Sequence, residues 1–223
     1  REATGDMIIV RYADDFIVGF EHETDARRFW DAMRERLQEF ALSLHSGKTR
    51  LIEFGRSAAE NRKRRGLGKP ETFNFLGFTF ICGKSRRGRF LVMRKTRRDR
   101  MRVKLKEIKK GLRRGMHQPI PQQGKWLRQV VTGYFNYYAV PTNSRAIATF
   151  HYFVTNLWHR TLRRRSQADW TNWQRMRRLV GDFLPKPIIL HPWPNARFAV
   201  KHPRWEPYAR IGPVRICAGG AQQ

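Results

Sequence analysis

Residues Met7 to Phe20, MIIVRYADDFIVGF, place an adjacent pair of carboxylates, Asp14 and Asp15, between two apolar segments. Segments of this length, rich in β-branched and aromatic residues, read as two short buried strands of a β-hairpin. The carboxylates then sit at its tip. Two like charges side by side repel, and beside apolar strands they lose hydration, so a site that keeps both ionised calls for a cation. Hard oxygen donors favour Mg²⁺ or Mn²⁺. Against this stands a plain polar turn, because Asp favours turns through hydrogen bonds to its own backbone.

The charge distribution narrows the partner. The 223 residues carry 46 Lys or Arg against 18 Asp or Glu, a formal net charge of +28. Residues 1–60 hold 9 basic and 12 acidic residues, whereas residues 61–223 hold 37 and 6. A near-neutral front and a strongly basic back fit a catalytic piece joined to a piece that binds a polyanion such as nucleic acid. Cys82 and Cys217 are too few and too far apart for a zinc cluster, and they point to a reducing compartment. No apolar stretch approaches the roughly 20 residues of a membrane span. No signal peptide pattern opens the chain, and a first residue of Arg rather than Met leads us to expect either a piece of a longer protein or a trimmed start.

After the hairpin, Phe29, Met33, Leu37, Phe40 and Leu44 recur at helical spacing, with Thr24 or Asp25 as the expected N-cap. The chain leaves this helix near Gly47 and enters a strand from Thr49 to Phe54. Residues 56–70 read as a polar, basic loop. Phe73 to Ile81 reads as one strand, paired in a second hairpin with Phe90 to Met93. From about residue 97 the period is helical. Met101, Leu105, Ile108 and Leu112 mark one helix, Trp126, Val130, Tyr134 and Tyr137 a second, and Ile147, Phe150, Val154 and Leu157 a third. Trp173, Met176, Val180 and Phe183 mark a shorter fourth, completing a small bundle. Seven of the 11 prolines lie from Pro185 onward, so the tail is expected to be extended and irregular, with Trp193, Phe198, Trp205 and Tyr208 packing on the bundle.

The order Tyr12-Ala13-Asp14-Asp15, amphipathic helix, Gly47-Lys48-Thr49, Phe75-Leu76-Gly77-Phe78 and basic helices resembles the C-terminal part of group II intron reverse transcriptase/maturases. The segment from Lys201 to Gly220 also resembles a tail found in some bacterial members. The resemblance implies an α+β chain. Residues 1–95 would be the end of a reverse transcriptase palm, residues 96–184 a helical thumb or maturase domain, and residues 185–223 a Pro-rich tail. It further implies that Asp14 is a direct ligand of catalytic Mg²⁺ and Asp15 its weaker partner. Tyr12 and Ala13 would lie near the primer terminus or incoming nucleotide, Lys48 near the leaving pyrophosphate, and Phe75, Leu76 and Gly77 at the primer grip. A further catalytic Asp belongs to a palm strand earlier than residue 1, so the chain alone is expected to lack polymerase activity. The implied partners are group II intron RNA and, in the complete enzyme, an RNA/DNA primer-template, in the bacterial cytoplasm.

Residues 84–114 contain 16 Lys or Arg against two acids. Like charges at i,i+4 destabilise a helix by a few tenths of a kcal/mol per pair, and phosphates would remove that repulsion. Arg98, Arg102, Lys106, Lys109 and Arg113, together with Arg163, Arg164 and Arg165, are therefore the expected contacts to structured RNA, with a steep salt dependence. Tyr134, Tyr137, Tyr138, Trp158 and His159 could stack on bases, although core packing better explains Tyr134, Tyr137 and Trp158. Two other readings remain open: a stand-alone maturase-type splicing factor without polymerase activity, and a basic structural RNA-binding protein whose Asp-Asp turn has no catalytic meaning.

Overall fold

A computed structural model describes residues 3–45, 47–165, 171–201 and 215–222. The described chain is α+β, with eight strands and seven helices. It divides into two compact units, residues 1–93 with 204–223, and residues 94–203.

The first unit opens with β1 (Met7–Tyr12) and β2 (Asp15–Phe20), antiparallel with Tyr12 opposite Asp15 and Met7 opposite Phe20. Helix α1 (Glu23–Glu39), β3 (Ser43–Leu44), β4 (Arg50–Glu53), α2 (Ala58–Arg64), β5 (Phe73–Phe75), β6 (Phe78–Lys84) and β7 (Phe90–Thr96) follow, the last three residues of β7 already belonging to the second unit. The last strand, β8 (Arg215–Gln222), enters the first sheet in the order β1-β2-β8-β3, with β4 also paired to β8. Strands β5, β6 and β7 form a second sheet.

Strand β2 is buried on both faces. Alternate side chains of a strand point to opposite sides. Phe16, Val18 and Phe20 accordingly meet Ala26, Phe29 and Trp30 of α1, while Ile17 joins Ile52, Phe54, Phe73 and Phe75. That second cluster is built from aromatic pairs, Phe54 edge-on to Phe73 at 5.0 Å and Phe73 stacked on Phe80 at 4.9 Å. Strand β1 differs from expectation. Met7, Ile8, Ile9 and Val10 are 44–55% exposed because β1 forms the edge of its sheet and nothing among the described residues covers it.

Several expected boundaries shift. Helix α1 begins at Glu23, so neither Thr24 nor Asp25 caps it. Asp25 is instead buried and accepts hydrogen bonds from Thr4 N (2.9 Å), Thr4 Oγ1 (2.8 Å) and the Arg28 guanidinium. Arg28, with the Thr4 donors, outweighs burial and holds this carboxyl down at about 2. The helix ends before Ala41, whose φ of 54° breaks the period, and Leu44 therefore lies in β3. The stretch expected to be a loop contains α2, held by Asn61 Nδ2 donating to Glu53 Oε1 (2.9 Å) and by the Arg65–Glu53 ion pair (2.5 Å).

Phe73 to Ile81 is two strands rather than one. Leu76 (φ 46°) and Gly77 (φ 74°) are the two residues of a tight turn, with Phe75 opposite Phe78. Positive φ at both central residues is the geometry that matches the twist of a two-residue hairpin.

The second unit comprises α3 (Arg98–Arg114), α4 (Ile120–Tyr138), α5 (Ser144–Arg163), α6 (Trp173–Phe183) and α7 (Pro194–Lys201). Its core includes Ile108 and Leu112 of α3, Leu127, Val131 and Phe135 of α4, Phe150, Val154 and Trp158 of α5, and Met176 of α6. Gly124 lets α4 approach α6, since a Cβ there would lie 2.4 Å from the Phe183 ring. Gln123 is buried yet fully used: its Nε2 donates to the carbonyls of Gly115, Met116 and Gln118, and its Oε1 accepts from Trp158 Nε1 at 3.0 Å.

Asn143 stands at the N-cap position of α5 but caps nothing. Its Oδ1 accepts from Thr96 N (3.0 Å), and its Nδ2 donates to Thr96 Oγ1 (2.7 Å) and the Tyr138 carbonyl (2.8 Å). Asn143 thus ties the end of β7 to the α4–α5 corner.

The tail is not uniformly irregular, since it contains α7 and β8. Pro194 occupies the first position of α7, where the missing N–H costs nothing, and no proline follows until Pro203. Pro213 precedes β8 rather than interrupting it. Trp193 is exposed instead of packed. Trp205 and Tyr208, and the side chain of Phe198, lie outside the described residues.

Replacing Asn143 by Ala leaves the Thr96 amide and the Tyr138 carbonyl without their buried partner. We predict a loss of about 2–3 kcal/mol in the stability of residues 94–203, read by chemical denaturation, whereas Ser144→Ala on the exposed side changes little.

Candidate active site at a hairpin tip

The turn joining β1 to β2 is only Ala13-Asp14, and of these two Ala13 alone has positive φ, 54°. A two-residue turn needs left-handed backbone, which in L-residues other than Gly costs roughly 1–2 kcal/mol. The strand pairing on both sides of the turn offsets that strain. Asp14 therefore projects at the apex and Asp15 begins the two-sidedly buried β2, both exposed. No hydrogen bond or ion pair engages either carboxylate among the described residues.

Register shows what the fold brings together. Tyr12 is the direct cross-strand neighbour of Asp15, with their Cβ atoms about 5 Å apart. Asp15 shares its face of β2 with Ile17, and the cluster around Ile17 includes Phe75 and, partly buried, Leu76. The second hairpin's tip thus packs on the Asp15 side of the sheet. Lys48 is exposed, in the turn just before β4, where its N–H donates to the His45 carbonyl at 3.0 Å. Asp15 pairs with Gly220 and Arg50 with Ala218, so extending the β4 register puts Lys48 at the sheet end that holds Asp15, two strand spacings or roughly 10 Å across.

Gly77 is one of the residues that the resemblance places at the primer grip. Its φ of 74° gives a local reason for glycine, because the turn requires left-handed backbone at that position.

Two hard-oxygen donors of this kind suit a divalent cation, but they do not close a site. Among the described residues no three His, Cys, Asp or Glu side chains converge to hold a metal. Asp14 and Asp15 stand next to an apolar edge strand that nothing among the described residues covers.

A second feature lies in residues 94–203. Arg98, Arg102, Lys106, Lys109 and Arg113 recur at spacings of four and three, so they share one face of α3, and all five are exposed. The ion pairs of this helix are Arg97–Asp99 at 2.7 Å and Lys104–Glu107 at 3.0 Å, which leaves these five without an acidic partner among the described residues. Arg163 ends α5, and Arg164 and Arg165 follow it.

Of the aromatics singled out for stacking, Tyr134 and Trp158 are buried. Burial raises the Tyr134 hydroxyl above the usual tyrosine range. His159 is also buried, against Trp173 at 4.3 Å, with Nε2 2.8 Å from the Thr171 carbonyl. Tyr137 is half exposed, so core packing does not account for it. Sequence reasoning passed over Tyr152 and Phe153, which stand exposed on α5. The available signal was the helical wheel, on which Tyr152 lies opposite Ile147, Phe150 and Val154 and Phe153 beside their stripe.

Comparison with protein families gives one finding. Residues 1–80 match the family model "Reverse transcriptase (RNA-dependent DNA polymerase)". The matched stretch contains the Asp14-Asp15 hairpin and ends within β6, after the Leu76-Gly77 turn. No curated protein matches the chain. No helix among the described residues is long and apolar enough to cross a membrane.

If Gly77 serves the turn, Gly77→Ala should cost about 1–2 kcal/mol of stability in residues 1–93, measured by thermal denaturation, and Gly77→Asn distinctly less.

Proposed function

We propose that this chain is the C-terminal portion of a group II intron reverse transcriptase/maturase, in which residues 1–93 end the palm and residues 94–203 form an RNA-binding thumb. The observation that carries the reading is the Asp14-Asp15 pair, with Asp14 in a two-residue turn and Asp15 opening β2, inside the stretch that matches reverse transcriptases. Asp14 and Asp15 would hold Mg²⁺ together with a carboxylate from a polypeptide segment beyond this chain. When bound, such ions activate a primer 3′ hydroxyl and stabilise the leaving pyrophosphate.

The chain's own residues have narrower tasks. Tyr12, beside Asp15, would offer its ring to the primer terminus or the incoming nucleotide. Phe75 and Leu76 would support the primer from the face of β2 that carries Asp15. Lys48, at the same end of the sheet, would neutralise charge on the departing phosphates. The α3 stripe and Arg163 to Arg165 would neutralise intron RNA phosphates, giving an affinity that falls steeply with salt.

The exposed apolar edge of β1 supports a division of labour between this chain and a further palm segment. An edge strand with four large apolar residues in water is a ready template for another strand. The stand-alone splicing-factor reading needs no such addition, and it predicts splicing assistance by this chain alone.

Mixing the chain with a palm-and-fingers polypeptide of the same family, primer-template and Mg²⁺ tests the proposal. We predict primer extension only in the mixture, and its loss by at least about a thousandfold in Asp14→Ala, as for removal of a group that stabilises transition-state charge. Extension by this chain alone, or an active Asp14→Ala mixture, would refute the assignment.

A further inference from the structure

Helix α5 presents a solvent face that the proposed phosphate contacts do not explain. Arg145, Tyr152, Asn156 and Arg163 fall within one narrow stripe, flanked by Phe153 and Arg160. Tyr152 is 62% exposed and Phe153 44%, and their rings meet edge-on at 5.7 Å. The opposite side of the same helix carries Ile147, Phe150, Val154, Trp158 and Leu162, all fully buried. Core packing is therefore satisfied without Tyr152 and Phe153, which leaves the Tyr152 ring in water at the centre of the outer face and the Phe153 ring beside it.

The surroundings of these rings select their occupant. Helix α5 contains no Asp or Glu. Arg145, Arg160 and Arg163 make no ion pair among the described residues, and residues 94–203 hold 25 Lys or Arg against four acids. An acidic partner is favoured on charge, and the aromatic pair requires that it also offer flat apolar surface. Unpaired nucleotides supply both, a phosphate and a base face in every unit. Duplex nucleic acid keeps its bases stacked inside and presents mainly phosphates. Along the helix, Tyr152 lies about 10 Å from Arg145 and about 16 Å from Arg163, so cations bracket the rings on both sides.

We propose that the outer face of α5 is a binding site for a single-stranded nucleic-acid segment, with a base stacked on Tyr152, Phe153 buttressing that ring, and Arg145, Arg160 and Arg163 holding the flanking phosphates. It rests on reading residues 94–203 as a nucleic-acid binder and adds a site that discriminates single strands from duplex. Asn156 Nδ2 donates to the Tyr152 carbonyl at 2.8 Å, so this side chain is engaged by its own helix and stays out of the way of the ring.

The test uses the full chain, with fluorescently labelled oligo(U), oligo(dU) and a blunt RNA duplex as probes, and thermal melts to confirm folding of each variant. Tyr152→Ala should weaken binding of at least one single-stranded probe about tenfold and leave duplex binding within about twofold, while Tyr152→Trp keeps wild-type affinity. The homopolymer that suffers the larger loss identifies the sugar that the site takes. Unchanged affinity for both homopolymers in Tyr152→Ala overturns the proposal. If Arg98→Gln with Arg102→Gln still weakens duplex binding in that case, the α3 reading survives it. Failure of the wild-type chain to bind any probe overturns both. A wild-type dimer that Tyr152→Ala converts to monomer overturns it in favour of a second copy of the chain as occupant.

Discussion

Strand β2 is buried on both sides, and the geometry of residues 1–93 follows from that. One face is closed by α1 through Val18 and Phe20, the other by the phenylalanine cluster around Ile17. A strand clamped in this way cannot slip by one residue without moving each apolar side chain to the wrong face. Asp15 is its first residue, so the carboxylate pair inherits a fixed position although the turn itself is exposed and strained at Ala13. A reactive pair on a mobile loop would lack that definition.

The neighbouring strand shows the opposite economy. Strand β1 holds the hairpin in register, yet Met7, Ile8, Ile9 and Val10 remain in water. An open ladder edge and an apolar surface occur beside two acidic side chains that no third His, Cys, Asp or Glu joins among the described residues. Under the proposed function, one event would answer both, the addition of a strand that carries an acidic residue. The basic surfaces of α3 and α5 similarly carry charge with no acidic partner among the described residues. In both units the local sequence is consistent with its fold except where a partner is implied.

Much of this was legible in the residues. The two apolar, β-branched runs around Asp14-Asp15 located the hairpin, and the period-3.6 stripes located α1 and the helices of the bundle. What escaped was set by interactions that pattern does not encode. The Leu76-Gly77 turn was hidden because flanking phenylalanines continue the apolar alternation through it. Helix α2 looks like a charged loop until Glu53 is seen to take Asn61 and Arg65. The tail's prolines suggested irregularity, but two of them bound α7 and β8 instead of breaking them. Burial of β1 was expected from its composition, and an edge position overrode it. At the site, the acidic pair and Tyr12 were readable from sequence, whereas the placement of Lys48 needed the β4–β8 register.

The central claim is that the Asp14-Asp15 hairpin is one part of a metal site completed by a strand added along β1. Hydrogen exchange of the β1 amides, followed with and without a palm-and-fingers polypeptide of the reverse transcriptase family, tests this most directly. The account predicts that outward-facing amides within Met7 to Tyr12 exchange freely in the isolated chain and become strongly protected in the mixture. Equal exchange rates in both samples, under conditions where the two polypeptides form a complex, would contradict it.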